Sequence, residues 1–285
     1  VARVEGDLHT HTIASDGLQS PAANVRMAKE AGLSVLAITD HDTVSGVVEA
    51  LAAGKELGLT VVPGVEISTV AEGQDIHVLG YNVDITDAVF LERLASLRDT
   101  RDVRNQMIIA KLQELGMAVT LAEVEQEVAH IKRKGDTVGR PHIAAVLLKK
   151  GYVDTITEAF DRYLATGAAA YANPPRIAPE TAITWIHEAG GQAVLAHPGI
   201  YGNDALVEAI MRQGLDGVEA YHSDHTSEQE AKYAALAEGA GLFVTAGSDF
   251  HGVRDGEAFH AAIGARRIDM SRLPSILQQA KGARP

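Results

Sequence analysis

Four apolar, β-rich runs of this 285-residue chain break off at an ionisable side chain: VLAITDH (35–41), VVPGVE (61–66), AVLAH (193–197) and FVTAGSD (243–249). A charge at the end of a buried strand costs several kcal/mol unless it is paired or coordinated. Repetition of the pattern therefore restricts the chain to folds whose strand ends converge on one polar site. An α/β fold with parallel strands does this at the C-terminal face of its sheet. The helix-period stretches PAANVRMAKEAGL and VSGVVEALAAGKELG alternate with DLHTHT, SVLAITD and TVVPGVEIS, as parallel βα units require.

The convergent set has nine members: His9 and His11 in DLHTHT, Asp16, His41 in AITDHDT, Glu66 in VVPGVEIS, His77 in DIHVLGY, His197 in AVLAHPG, and Asp249 and His251 in SDFH. Strand residues two apart face the same side, so His9 pairs with His11 and Asp249 with His251. Two imidazoles so placed repel when protonated and gain from a shared cation. Any one of them alone reads as an ordinary hydrogen-bonded strand end, but the set reads as a polynuclear metal site. Imidazole and carboxylate ligands without thiolate suit manganese, zinc or iron. Asp7, Asp40 and Asp42 are expected to orient the imidazoles from behind, or, for Asp42, to cap the helix that follows.

Composition narrows the partners. The hydrophobic content of 46% supports a well-buried core, and the absence of cysteine excludes disulfides and thiolate metal sites. No run of about 18 apolar residues would span a bilayer. VARVEGDLHTHT enters the first strand almost at once, leaving no room for a signal peptide, so a cytoplasmic location is expected. The formal charge of −13 disfavours long nucleic acid, which calls for a basic stripe. The one basic cluster, HIKRKGD at 130–136, reads as a solvated loop. A small substrate is expected rather than a polymer, with no membrane and no protein partner.

Between residues 100 and 170 the rhythm changes to helix-period segments without a strand, which predicts a helical insertion domain (100–170) over a barrel built from 1–99 and 171–285. The insertion would act as a lid and supply substrate contacts. In DTVGRPHIA, Arg140 offers a planar fork suited to phosphate, and His142 lies just inside a helix start marked by Pro141. His222 and His225 in VEAYHSDHT follow another strand-end run, and one of them would bind phosphate or protonate the leaving oxygen. Tyr171 is a candidate contact to a base or sugar, and Arg176 a weaker cationic one. His130, His187 and His260 read as surface residues.

DLHTHT-ASDG, TDHD, GVEIS, HVLGY, AHPG and GSDFH, in that order, resemble the PHP (polymerase and histidinol phosphatase) metallo-phosphoesterases over most of the chain. Within that family the chain looks most like stand-alone 3′,5′-bisphosphate nucleotidases and 5′-3′ exoribonucleases. The resemblance implies a distorted (β/α)7 barrel with a small all-helical insertion. It also implies three divalent metal ions, most often manganese, with iron or zinc as alternatives. His9, His11, Glu66 and Asp249 would hold the first metal, and Asp16, His41 and His251 the second. His77 and His197 would hold the third, with Glu66 bridging. A hydroxide between metals would attack phosphorus, with Arg140 and His225 as the catalytic partners and Arg140, His142, Tyr171 and His225 contacting substrate; similarity favours His225 over His222. The expected substrate is a nucleoside 3′,5′-bisphosphate losing its 3′-phosphate. The competing readings are an exonuclease on short RNA, a histidinol-phosphatase-like enzyme, a C–N amidohydrolase and a non-catalytic PHP binding module.

Overall fold

One strand of the barrel runs against its neighbours, and that reversal brings an expected ligand to the mouth. A computed structural model describes residues 4–254, 257–258 and 260–275. In it β1 (Glu5–Asp7), β2 (Val35–Ile38) and β3 (Thr60–Ala71) are parallel neighbours. β4 (Gln74–Tyr81) returns antiparallel between β3 and β5 (Gln192–Leu195), after which β5, β6 (Gly217–His222) and β7 (Phe243–Gly247) run parallel again. The barrel is nearly closed where the Leu8 N–H donates to Ala246 O at 3.0 Å and Thr10 bridges to Phe250. Beyond it, β8 (Val253–Arg254) and β9 (Glu257–Ala258) form a short hairpin, and β10 (Ile268–Asp269) pairs antiparallel with β1. This is the distorted seven-stranded α/β barrel that the motif order implies.

Glu72 (φ 51°) and Gly73 (φ 77°) both adopt the left-handed conformation of a two-residue hairpin turn, which reverses the chain into β4. His77 therefore sits opposite Ser68 near the start of a descending strand, level with the ends of the ascending ones. The run 61–66 does not finish at Glu66, as its pattern suggested. β3 continues to Ala71 because its last residues pair with β4 above the mouth.

Alternation along the strands separates two cores. Val35 and Ala37 of β2 pack with Leu8, Val62, Val194 and Ala246 inside the barrel. Leu36 and Ile38 face the other way, onto the core formed by α1 (Pro21–Glu30), α2 (Val47–Leu57) and their fellows. Ser20 caps α1 ahead of Pro21, its side chain accepting the Ala23 N–H.

Among the described residues no strand lies between Tyr81 and Gln192. That stretch holds α3 (Ala88–Glu114), α4 (Leu121–Val128), α5 (Arg140–Lys149), α6 (Ile156–Ala159) with a π turn through Leu164, and α7 (Pro179–Glu188). Ile108, Leu112, Val124, Ile143, Leu147 and Leu164 build a third, separate core there. The 99/100 boundary falls inside α3, whose Phe90, Leu94 and Leu97 belong to the barrel core and whose Ile108, Ile109 and Leu112 belong to the helical one. The barrel is completed by α8 (Asp204–Met211) and α9 (Ser227–Gly239). No described helix is long and apolar enough to cross a membrane.

Candidate metal centre

All nine expected ligands meet at the barrel mouth. His9 and His11 lie just past β1, with their Nε2 atoms 3.2 Å apart. Glu66 Oε2 is 3.2 Å from the first and 3.1 Å from the second, and Asp249 Oδ1 repeats those distances. Five of the six separations among these four atoms are thus 3.1–3.2 Å, the spacing of atoms that share one divalent cation at bond lengths of about 2 Å. Two imidazole lone pairs and two carboxylates cannot all accept from one another, so the arrangement calls for a cation or for protons. Burial works against a charged His11, but Asp249 and Glu66 outweigh it and lift the ring to about 10.

Two further groups adjoin this one. Asp16 Oδ1 is 3.2 Å from His251 Nε2, and Asp16 Oδ2 is 3.7 Å from His41 Nε2. Glu66 Oε1 is 2.8 Å from His77 Nδ1 and 3.1 Å from His197 Nε2. Glu66 thus turns one oxygen to each of two groups, as a bridging ligand must. Burial keeps the rings of His41 and His197 neutral, the latter at about 4, with lone pairs free for a metal. His197 (φ 29°) and Asp249 (φ 56°) take left-handed backbone conformations, strain that is commonly stored where a site must be aimed.

The residue that orients an imidazole is Glu219, which the sequence reading passed over. Both of its oxygens face His9 Nδ1, at 2.9 and 3.0 Å, leaving Nε2 to the centre. Glu219 Oε2 also accepts the His197 N–H at 3.0 Å. A Cβ at Gly247 would run into His9 Cβ and Glu219 Oε1, so the close packing of these three demands glycine. Asp7, Asp40 and Asp42 do other work. Asp7 accepts from the backbone of Ser248 and Gly264. Asp40 accepts from Thr12 and Ser15. Asp42 neither touches a ligand ring nor caps α2, whose N-cap is Gly46; it is buried against Arg101 Nε at 2.5 Å.

Over the centre lies a cavity of about 830 Å³ between the barrel and the helical stretch, within the range of small-molecule sites. Asp16, His41, Glu66, His77, His197, Asp249 and His251 form one end, and Arg101, Arg104, Arg140 and His142 line it too, with Ile156 and Phe160 as an apolar wall. Asp75 gathers the cations. Arg140 Nη2 donates to it at 3.0 Å, Tyr171 Oη donates at 3.0 Å, Arg176 donates to it, and Arg104 Nη1 lies 3.9 Å away. Burial opposes the charged carboxylate, yet Arg140, Arg176 and Arg104 hold it well below the usual range. Arg104 is almost fully buried, and its Nε has no hydrogen-bond partner among the described residues. Burial, then repulsion from Arg140 and Arg101, pushes its own pKa well down, and an anion in the cavity would offset that repulsion. Arg104 was not singled out from the sequence; its only signal there is a spacing of three from Arg101 on one helix face.

His142 lines the cavity, but its Nδ1 is spent accepting the Gly139 N–H at 2.9 Å. Tyr171 stands behind the cavity wall, its Oη on Asp75 and its ring 5.9 Å from the Arg140 guanidinium. Of His222, the last residue of β6, and His225 beyond it, it is His222 that reaches the expected ligands, with Nε2 3.3 Å from Asp249 Oδ2. His225 is turned away: Nδ1 donates to Ala220 O at 2.8 Å and Nε2 accepts the Gly199 N–H at 3.0 Å. His260, read as a surface residue, is exposed and also lines the cavity, with its Nδ1 2.8 Å from Asp224 Oδ2.

The PHP domain model matches residues 7–172, more than half of the chain. This chain belongs to the PHP family. It is 38% identical over 252 residues to the 5′-3′ exoribonuclease Rnm of Escherichia coli, covering 86% of this chain and 84% of that one. It is 31% identical over 255 residues to the 3′,5′-nucleoside bisphosphate phosphatase of Chromobacterium violaceum, with 88% of each covered. A solved structure described as a metal-dependent phosphoesterase of Bifidobacterium adolescentis superposes with a TM-score of 0.86 at 31% identity, covering 97% of this chain and 96% of that one. The PHP chain is a metal-dependent phosphoesterase, and the fit of its ligand atoms to a divalent cation agrees with that.

Proposed function

We propose that this PHP phosphoesterase removes the 3′-phosphate of nucleoside 3′,5′-bisphosphates, using three divalent cations, manganese before iron or zinc. One observation carries the reading: the cavity over the ligand cluster has a second cationic pole, at Arg104 and Arg140, with the buried Arg104 Nε lacking a hydrogen-bond partner among the described residues. Such a cavity suits a substrate with two phosphates.

The nine ligands would hold the cations in the three groups described. Bound there, divalent cations supply a water acidic enough to attack near neutral pH and charge that holds phosphoryl oxygens. The chain's own residues do the rest. Glu219 fixes the tautomer of His9, and His222 steadies Asp249. Arg140 and Arg104 take the 5′-phosphate, the former as a planar fork. Ile156 and Phe160 offer the base an apolar surface. Residues 100–170 serve as the lid that carries most of these contacts.

The relative named as an exoribonuclease favours a second reading, in which the 3′-phosphate is esterified to the next nucleotide of a short RNA. In both reactions the P–O3′ bond breaks and a 5′-nucleotide remains at the arginine pole. The test compares product release from adenosine 3′,5′-bisphosphate, AMP, a short 5′-phosphorylated RNA and histidinol phosphate, with Asp249→Ala as the blank. Asp249-dependent phosphate release from the bisphosphate, with little from AMP, is the expected result. Preferential release of mononucleotides from RNA would replace the first reading with the second. Equal rates on AMP and the bisphosphate would remove the role given to the arginine pole.

A further inference from the structure

The loop that carries Asp16 is held from outside the barrel. Between β1 and α1 three successive carbonyls, those of Ile13, Ala14 and Ser15, are all taken by the turn that follows α4. Lys132 Nζ donates to Ile13 O at 2.8 Å and also to Ser15 O, and the Thr137 N–H donates to Ala14 O at 2.8 Å. Ser15 Oγ is fixed separately by Asp40 at 2.6 Å. The residue just before Asp16 is thus anchored by its side chain on the barrel side and by its carbonyl on the helical side.

The same turn is pinned to the barrel elsewhere. Ser45 Oγ donates to Asp136 Oδ1 at 2.6 Å, and Thr43 Oγ1 donates to Gly135 O at 2.7 Å. Of the cluster Lys132, Arg133 and Lys134, the last two are exposed and Lys132 is turned inward, so this cluster is more than the solvated loop its composition suggests. An ammonium taken from water recovers its solvation only where its donors meet good acceptors, and two carbonyls flanking one residue provide them.

We propose that Lys132 is a positioning residue for the cation held by Asp16, His41 and His251, so that the helical stretch controls occupancy of that one site. The adjoining group is placed from the barrel itself, with His9 and His11 just past β1, Glu66 within β3 and Asp249 just past β7. The inference goes beyond the substrate assignment and stands whichever phosphoester is cleaved.

The test measures manganese binding by titration calorimetry, and metal content after dialysis against limiting manganese, for the wild type, Lys132→Met and Lys132→Arg, with circular dichroism as the check on folding. Lys132→Met should keep its helical signal and lose one cation per chain at limiting manganese, that site weakening about 10–100-fold as for other residues that hold ligands in place. The remaining sites should stay within about twofold, excess manganese should restore turnover, and Lys132→Arg, which keeps donors within reach, should bind at least part of the lost cation. Unchanged stoichiometry and affinity, or equal weakening of every site, would overturn the proposal. Should the Met variant fail to fold, Lys132→Gln, which keeps one donor on a shorter stem, carries the same comparison with the same two outcomes.

Discussion

Glu219 decides which nitrogen of His9 is offered to a cation. With both carboxylate oxygens on Nδ1, the ring proton is held there and Nε2 points at His11, Glu66 and Asp249. Glu219→Gln keeps one accepting oxygen but removes the charge that makes the imidazole a stronger ligand, so manganese affinity should fall roughly 10–100-fold. Titration calorimetry checks this, and an unchanged affinity would mean that packing alone orients His9. The candidate ligands that meet at the mouth were legible because four of them, His41, Glu66, His197 and Asp249, close an apolar run. Glu219 was not, because it sits inside β6 between the fully buried Val218 and Ala220, where a search of strand ends does not look. The roles of Asp40 and Asp42 were out of reach for another reason. Their polar character is local, but the partner of Asp42 is Arg101, 59 residues further on, and only the tertiary fold chooses it.

At the scale of elements, the start of α5 rests on an unusual cap. His142, at the third helical position, accepts the Gly139 N–H through Nδ1, the place a Glu or Gln takes in a capping box. Burial, followed by repulsion from Lys132, pushes His142 down to about 3. Its folded pKa lies below the unfolded value of about 6.5, so its stabilising contribution is complete above pH 6.5 and is lost as the pH falls toward 3. His142→Gln keeps an acceptor for Gly139 and does not titrate. Urea unfolding of the variant should therefore show a shallower loss of stability below pH 6.5, by up to about 1.4 kcal/mol per pH unit. Equal slopes would show that His142 keeps its proton equilibrium on folding. Helix content between 100 and 170 was readable from the 3.6-residue period, but the division between barrel and insertion was not. α3 runs for 27 residues through both cores without a break in its pattern, so no local signal marks where one ends. The antiparallel β4 was hidden in the same way, since a buried strand reads alike in either direction.

For the whole molecule, cations at the mouth would tie together strands from both ends of the chain, and protons compete with them for the same atoms. The order of the ligand motifs exposed this convergence at the level of sequence, while the pairing that brings Asp249 back against His9 belongs to barrel closure. Protein stripped by a chelator can satisfy the facing lone pairs only with protons. His11 then rises to about 10, from the ordinary value near 6.5. A raised pKa contributes stability fully below pH 6.5 and loses it as the pH climbs through 10, so the stripped protein should become less stable from about pH 6.5 to about pH 9. Binding a cation requires the same rings without their protons, so apparent affinity rises over that interval. At a fixed manganese concentration this adds to stability as RT ln(1 + [L]/Kd), about 2.7 kcal/mol when the ion stands at 100 times Kd. The two effects have opposite signs, and the difference in Tm between manganese-loaded and chelator-treated protein should widen as the pH increases. Thermal melts at the two ends of the interval test it, with calorimetry in buffers of different ionisation enthalpy counting the protons released. A gap that narrows, or binding without proton release, would mean that the centre is already deprotonated when it is bare and that the crowded lone pairs are relieved by movement of the loops instead.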